Sequence, residues 1–137
     1  MNEFDYINKF FEPLTGKTAR KLKDDAAVLR QNYKKDLIIS TDTIVENVHF
    51  FGNENPSDIA KKSLRVNLSD MAAMGAKPLF YNLSLSLPKK KAKYFIPRFA
   101  EGLKEDQDIF NLELIGGDLT SSLKYINITL TIFGETS

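Results

Sequence analysis

Residues 79–87, LFYNLSLSL, alternate without a break. Leu79, Tyr81, Leu83, Leu85 and Leu87 fall on one side, with Phe80, Asn82, Ser84 and Ser86 on the other. A period of two is the signature of a strand with one apolar face, and that face has to be covered by a second layer. The flanking segments can supply it. In NENPSD, Ser57 suits an N-cap and Asp58 a first helical turn. The helix that follows is predicted to run to about Met74, where Gly75 gives a stop and Pro78 prevents continuation. After the strand, KKKAKYFIPRFAEGLKEDQDIF reads as a second long helix burying Phe95, Phe99, Leu103 and Phe110. Because Pro97 fits poorly in a helix interior, the regular part is expected to begin near it.

The remaining segments complete the pattern. Phe4, Ile7, Phe10 and Phe11 have helical spacing over residues 3–11. AAVL (26–29) reads as a first strand and LIISTD (37–42) as a second. LELIGGD is a strand ending in a glycine pair, and YINITLTIFGE, rich in β-branched residues, is the last. The expected order is α-β-β-α-β-α-β-β. That order predicts an α+β domain, a mixed β-sheet with helices packed on one face.

A chain of 137 residues is one ordinary domain, long enough to bury a core without staples. Its formal net charge of +1 gives no global field for nucleic acid or membranes. The absence of cysteine removes disulfides, zinc–thiolate sites and thiol nucleophiles, and fits a reducing compartment. The N-terminus, MNEFDYINKFF, has acids early and no apolar run of signal-peptide type. No apolar run approaches the ~20 residues of a membrane span. The expectation is a cytoplasmic domain without nucleic-acid or membrane partners.

Against that plain background, the stretch after Leu37 stands out. LIISTDTIVENVHF runs from an apolar strand directly into Ser40, Thr41, Asp42 and Thr43, with Glu46 and His49 close behind. Asp24 and Asp25 precede AAVL, and Asp118 follows LELI and two glycines. A single strand-end aspartate is ordinarily a turn residue. Asp70 differs, because helical geometry puts it and Asn67 on the side opposite Lys61, Lys62, Arg65 and Ser69, among Ile59, Leu64, Val66 and Met71. A carboxylate placed there needs a basic partner or a metal. Several carboxylates with hydroxyls beside them, and no thiol or histidine cluster, suit a hard divalent cation such as Mg²⁺, completed by phosphate oxygens. Gly116 and Gly117 would let the backbone approach a phosphate, or simply make a turn. No Walker, Rossmann or protein-kinase motif occurs, so a phosphate site would have to be built otherwise.

The set DDAAVL, STDTIVENVHF, NLSDMAAMGAKP and LIGGDLT, in this order and spacing, resembles the N-terminal domain of the thiamine-monophosphate kinases. These belong with the aminoimidazole ribonucleotide synthetase-like superfamily, and the likeness runs from about Phe4 to Glu135. The resemblance implies transfer of the γ-phosphate of ATP to thiamine monophosphate, with Mg²⁺ ions and no phosphoenzyme. It also implies that Asp25, Ser40, Thr41, Asp42, Asp70 and Asp118 are metal ligands. Gly117 with Asp118 would contact nucleotide phosphate, and His49 would contact substrate. No general base is expected, since a phosphate oxygen is already a competent nucleophile. The basic run KKKAK (89–93) is read as a solvated helix start.

The resemblance is imperfect at two places in the motifs. Lys23 and Asn47 stand where the family has glycine; Lys23 would strain or reshape its turn, whereas Asn47 tolerates a left-handed backbone. Family members carry a second domain after this one. The chain is therefore expected to be the N-terminal ATP/Mg-binding and dimerisation domain alone, forming a homodimer through its sheet. The apolar final strand would need such cover. Another ATP-dependent superfamily member, or a non-catalytic dimerisation module, is the alternative that these motifs leave open.

Overall fold

The computed structural model describes residues 1–23, 26–30 and 34–136, with Arg20 and Lys21 described by backbone only. The N-terminal segment is a single helical turn, α1 (Glu3–Tyr6), closed by a capping box between Asn2 and Asp5. A π-type turn (Ile7–Phe11) and 3₁₀ turns (Glu12–Leu14, Lys17–Leu22) continue it. Then come β1 (Leu37–Val45), α2 (Pro56–Ala73), β2 (Ala76–Leu87), α3 (Lys89–Phe110), β3 (Glu113–Ser121) and β4 (Asn127–Thr136). The four strands form one sheet in the order β1-β4-β2-β3. β4 is antiparallel to both neighbours, while β2 and β3 are parallel, joined by α3 as the crossover. The sheet is therefore mixed, as the element order predicts.

The alternation read in residues 79–87 is realised from Tyr81 onward, while Leu79 sits at a register shift between Pro78 and Phe80 and is only half-buried. Tyr81, Leu83, Leu85 and Leu87 are buried beneath the helices, with Ile128, Leu130 and Ile132 of β4 beside them. α2 lies across β1, β4 and β2, and α3 packs on α2. Among the described residues no helix covers the opposite face of the sheet. It carries Thr41–Thr131 and Thr43–Thr129 hydroxyl pairs at 2.9 and 2.8 Å, and a row of Ile39, Phe133 and Phe80 in register.

Several local expectations are corrected. Residues 26–29 form no strand; the Val28 N–H bonds back to the Thr18 carbonyl at 3.1 Å instead of joining the sheet. The helix expected over 3–11 shortens to one α-turn, and the wider π turn shifts its phase, so Phe4 is exposed while Phe11 is buried. Asn55, not Ser57, caps α2, because Pro56 takes the first helical position and needs no N–H acceptor. α3 starts at Lys89 and accommodates Pro97. Burial of Ala92, Phe95 and Ile96 before the proline, with Phe95 stacked on Phe99 at 5.1 Å, outweighs one missing hydrogen bond. Phe110 and Val66 are more exposed than their spacing suggests, the first because Asn111 ends α3 in a left-handed conformation (φ 59°).

Candidate metal and phosphate site

β1 is an edge strand, and its alternation decides which oxygens can meet. Ile38, Ser40, Asp42 and Ile44 point to the helix side, while Thr41 and Thr43 point to the bare face. α2 returns antiparallel to β1 and brings Asp70 over Ser40, whose hydroxyl donates to Asp70 Oδ2 at 3.0 Å. Asp42 lies next along the same face. Its carboxyl is held above the ordinary carboxylate value of 3.8, first by a shared hydrogen bond with Asp70, then by burial and by the Asp70 charge. Asp42 Oδ2 is buried with no hydrogen-bond partner. Among the described residues no lysine or arginine pairs with either carboxylate.

Two half-buried carboxylates facing each other repel, and an orphaned anionic oxygen between them is unstable unless a cation or a proton sits there. The donor set is all oxygen, which fits a hard divalent ion and not a soft one. Ser40, Asp42 and Asp70 therefore assemble the core of the predicted site. They do not complete it: among the described residues no three His, Asp or Glu side chains gather as a metal shell. Asp25 lies outside the described residues.

The other predicted site residues are placed elsewhere. The Thr41 hydroxyl faces the bare side of the sheet, bonded to Thr131. Asp118 is exposed on β3, at the far edge of the sheet and in register with Ser84 of the bare face. Three strand spacings separate β1 from β3, roughly 14 Å. Gly117 beside it has φ 148°, and a Cβ there would stand 1.6 Å from the Leu83 carbonyl oxygen, so only glycine fits. Gly116 and Gly117 also line, with Leu83, Leu85, Ala19 and Leu22, a cavity of about 160 Å³ under the N-terminal segment. Here the backbone does come close to open space, as a phosphate or base contact would require.

His49 is exposed in the turn after β1. Its Nδ1 accepts from the Val45 N–H at 3.0 Å, which fixes the neutral tautomer with the proton on Nε2. The Lys62 ammonium donates to the His49 carbonyl. Asn47 has φ 68°, the left-handed conformation expected of it. Glu46 is a structural pin: buried, it accepts from the Ile126 N–H at 3.0 Å and pairs with Lys91 at 3.2 Å. Lys91 is thus not a solvated lysine, unlike its neighbours Lys89 and Lys90. Lys23 does not itself adopt a left-handed turn; Leu22 before it does (φ 59°), and the Lys23 ammonium donates to Asn8 at 2.6 Å.

Asn67 has no place among the motif residues expected at the site. It is fully buried on α2, its amide donates to the Ser63 carbonyl at 3.1 Å, and its Oδ1 has no partner. Its helical position beside Asp70 was visible in the sequence, but its missing hydrogen bond was not.

Comparison with known proteins follows the same line. Residues 23–136 match the family model "AIR synthase related protein, N-terminal domain". The chain is 42% identical over 136 residues to the thiamine-monophosphate kinase of Buchnera aphidicola subsp. Schizaphis graminum, covering 97% of this chain and 41% of that one. The crystal structure of thiamine-monophosphate kinase from Stenotrophomonas maltophilia K279a superposes with a TM-score of 0.77 at 37% identity, over 85% of this chain and 36% of that one. AaThiL complexed with AMPPCP and TMP gives a TM-score of 0.73 at 31% identity, over 98% and 42%. The chain thus spans about two fifths of the length of the curated relatives it matches.

Proposed function

The chain belongs to the AIR synthase related family, in its N-terminal domain, and from that premise we propose that it is the ATP- and metal-binding half of a thiamine-monophosphate kinase. The reaction moves the γ-phosphate of ATP to thiamine monophosphate. A phosphate oxygen of the acceptor forms the new bond to γ-phosphorus as the bond to the β-phosphate oxygen breaks, giving thiamine diphosphate and ADP. The observation that carries this reading is Asp42, whose Oδ2 is buried without a partner, in company with the Asp70 carboxylate. Nothing described in the chain neutralises that pair. Magnesium, when bound, would supply charge neutralisation of the polyphosphate.

Each residue then has a task. Asp42, Asp70 and Ser40 hold the cation, with Asp25 as the further carboxylate proposed for it, while Asp118, at the opposite edge of the sheet, would meet a separate ion or the nucleotide phosphate. Gly117, glycine because of the Leu83 carbonyl against it, lines the cavity from which its backbone would meet a phosphate. His49, locked as the Nε2–H tautomer, offers a donor to the phosphorylated substrate. No residue need act as a base. The relatives' names and the AMPPCP and TMP bound to AaThiL support both substrates.

A homodimer fits the bare face of the sheet, where Ile39, Phe80 and Phe133 make an apolar row beside the threonine pairs. No helix of the described residues is long and apolar enough to cross a membrane, which agrees with a reaction in the cytoplasm. The test joins this chain to the part of the Buchnera aphidicola relative that it does not cover. Thiamine diphosphate should form from ATP, Mg²⁺ and thiamine monophosphate. A folded chimera that binds ATP but phosphorylates only a different acceptor contradicts the substrate assignment.

A further inference from the structure

Two side-chain oxygens of the described residues are buried without a hydrogen-bond partner, Asp42 Oδ2 and Asn67 Oδ1. The geometry points to one cause for both: we infer that Asn67 Oδ1 is a neutral oxygen of the same divalent-cation site, set above Asp42 as Asp70 is set above Ser40. The inference rests on the metal-site reading given above.

The placement follows from how α2 crosses the sheet. Lys62 reaches the His49 carbonyl, past the end of β1, and Asp70 meets Ser40. A methyl on Gly134, which pairs with Ile38, would stand 2.8 Å from Met71 Sδ. Later residues of α2 thus lie over earlier residues of β1. One helical turn back from Asp70 and Met71, about 5 Å, is Asn67. Two residues forward from Ser40 on the same face, about 6.6 Å, is Asp42. The two unpartnered oxygens consequently belong to one neighbourhood.

The orientation of the Asn67 amide is not arbitrary. Its NH₂ must face the Ser63 carbonyl, because the flipped amide would set oxygen against oxygen. Oδ1 is therefore held away from the α2 backbone. An amide oxygen buried without a donor is unfavourable, and Asn67 is fully enclosed. An isosteric leucine would pack there without that penalty. An oxygen kept in such a place has a use, and next to two carboxylates that use is a cation or a water bound to it. Amide carbonyls are ordinary ligands for hard divalent ions, and a neutral one adds coordination without adding to the Asp42–Asp70 repulsion.

The test measures Mn²⁺ affinity of the chain by electron paramagnetic resonance, with no nucleotide and no turnover, for wild type, Asn67→Leu, Asn67→Asp and Asp42→Asn. Asn67→Leu should weaken Mn²⁺ about 10-fold or more while the metal-free Tm holds or rises. Asn67→Asp, which keeps the oxygen, should bind at least as tightly as wild type, and it keeps the inference testable should the leucine variant fail to fold. If Asp42→Asn abolishes binding and both Asn67 variants match wild type, the role of Asn67 is overturned and the metal site stands. If Asp42→Asn also leaves Mn²⁺ binding unchanged, or wild type binds none at millimolar Mn²⁺, both fall together.

Discussion

α2 presents two acidic neighbourhoods, and they are treated in opposite ways. On its α3 side, Asp106 is fully buried and receives both arms of the Arg65 guanidinium, Nε to Oδ2 and Nη2 to Oδ1, each at 3.0 Å. On its β1 side, Asp70 and Asp42 face each other with one serine hydroxyl and no described cation. The first cluster is complete within the chain and does nothing but join two helices. The second is incomplete among the described residues, which is the feature the proposed cation site rests on. A buried carboxylate is informative only once its counter-charge has been looked for.

The sharpest way to break the first cluster is Arg65→Met, which leaves Asp106 buried and alone. The expected fall in Tm is about 10 °C, the largest of the set, with Mg²⁺-dependent nucleotide binding retained in the fraction that stays folded. Calorimetric melting and ligand titration of one sample check both halves. Asp42→Asn acts in the other direction. It relieves the repulsion with Asp70, so the metal-free Tm should rise by about 2–4 °C, the shift of ~1 kcal/mol in a domain of this size.

That gain should itself depend on pH. The Asp42 carboxyl is raised in the folded state, so its contribution to stability is present below the ordinary carboxylate value of 3.8 and lost as pH rises through the raised value. The Tm gap between Asp42→Asn and wild type should therefore be small near pH 4 and full at pH 7, and saturating Mg²⁺ should close or reverse it. A gap independent of pH would mean that Asp42 is not in conflict with Asp70. The smallest effect on ligand binding, none, is expected from a third, neutral buried network, in which Tyr81 donates to Gln107 and Gln107 to the Leu14 carbonyl. Tyr81→Phe removes one hydrogen bond and should lose about 1 kcal/mol, read by denaturant unfolding, with no change in ligand binding.

How much of this was visible in the sequence depends on the distance over which each feature is decided. β2 and α3 were legible, because period-two and helical spacings are local and their apolar faces are long. The Ser40–Asp42–Asp70 grouping came from the motifs, and what brings those side chains together is alternation along β1 and helical phase along α2 once the two elements pack. Local spacing failed where a neighbour decides. Residues 26–29 have strand-like composition but bond back to the preceding 3₁₀ turn through Val28 and Thr18, and Ser57 lost the cap to Asn55 through Pro56. Asp118 and the Thr41 hydroxyl were grouped with Asp42 by motif, yet strand order puts the one at the opposite edge and pleating turns the other to the opposite face. Glu46 and Asn67 were invisible as a pin and as an orphan, since a hydrogen bond, made or missing, belongs to the tertiary fold.

The most direct measurement is titration calorimetry of AMPPCP into this chain, with and without Mg²⁺, repeated on Asp42→Asn. The account predicts heat of binding that requires Mg²⁺ and disappears in the variant. Binding of equal strength without Mg²⁺, or undiminished in Asp42→Asn, would contradict it.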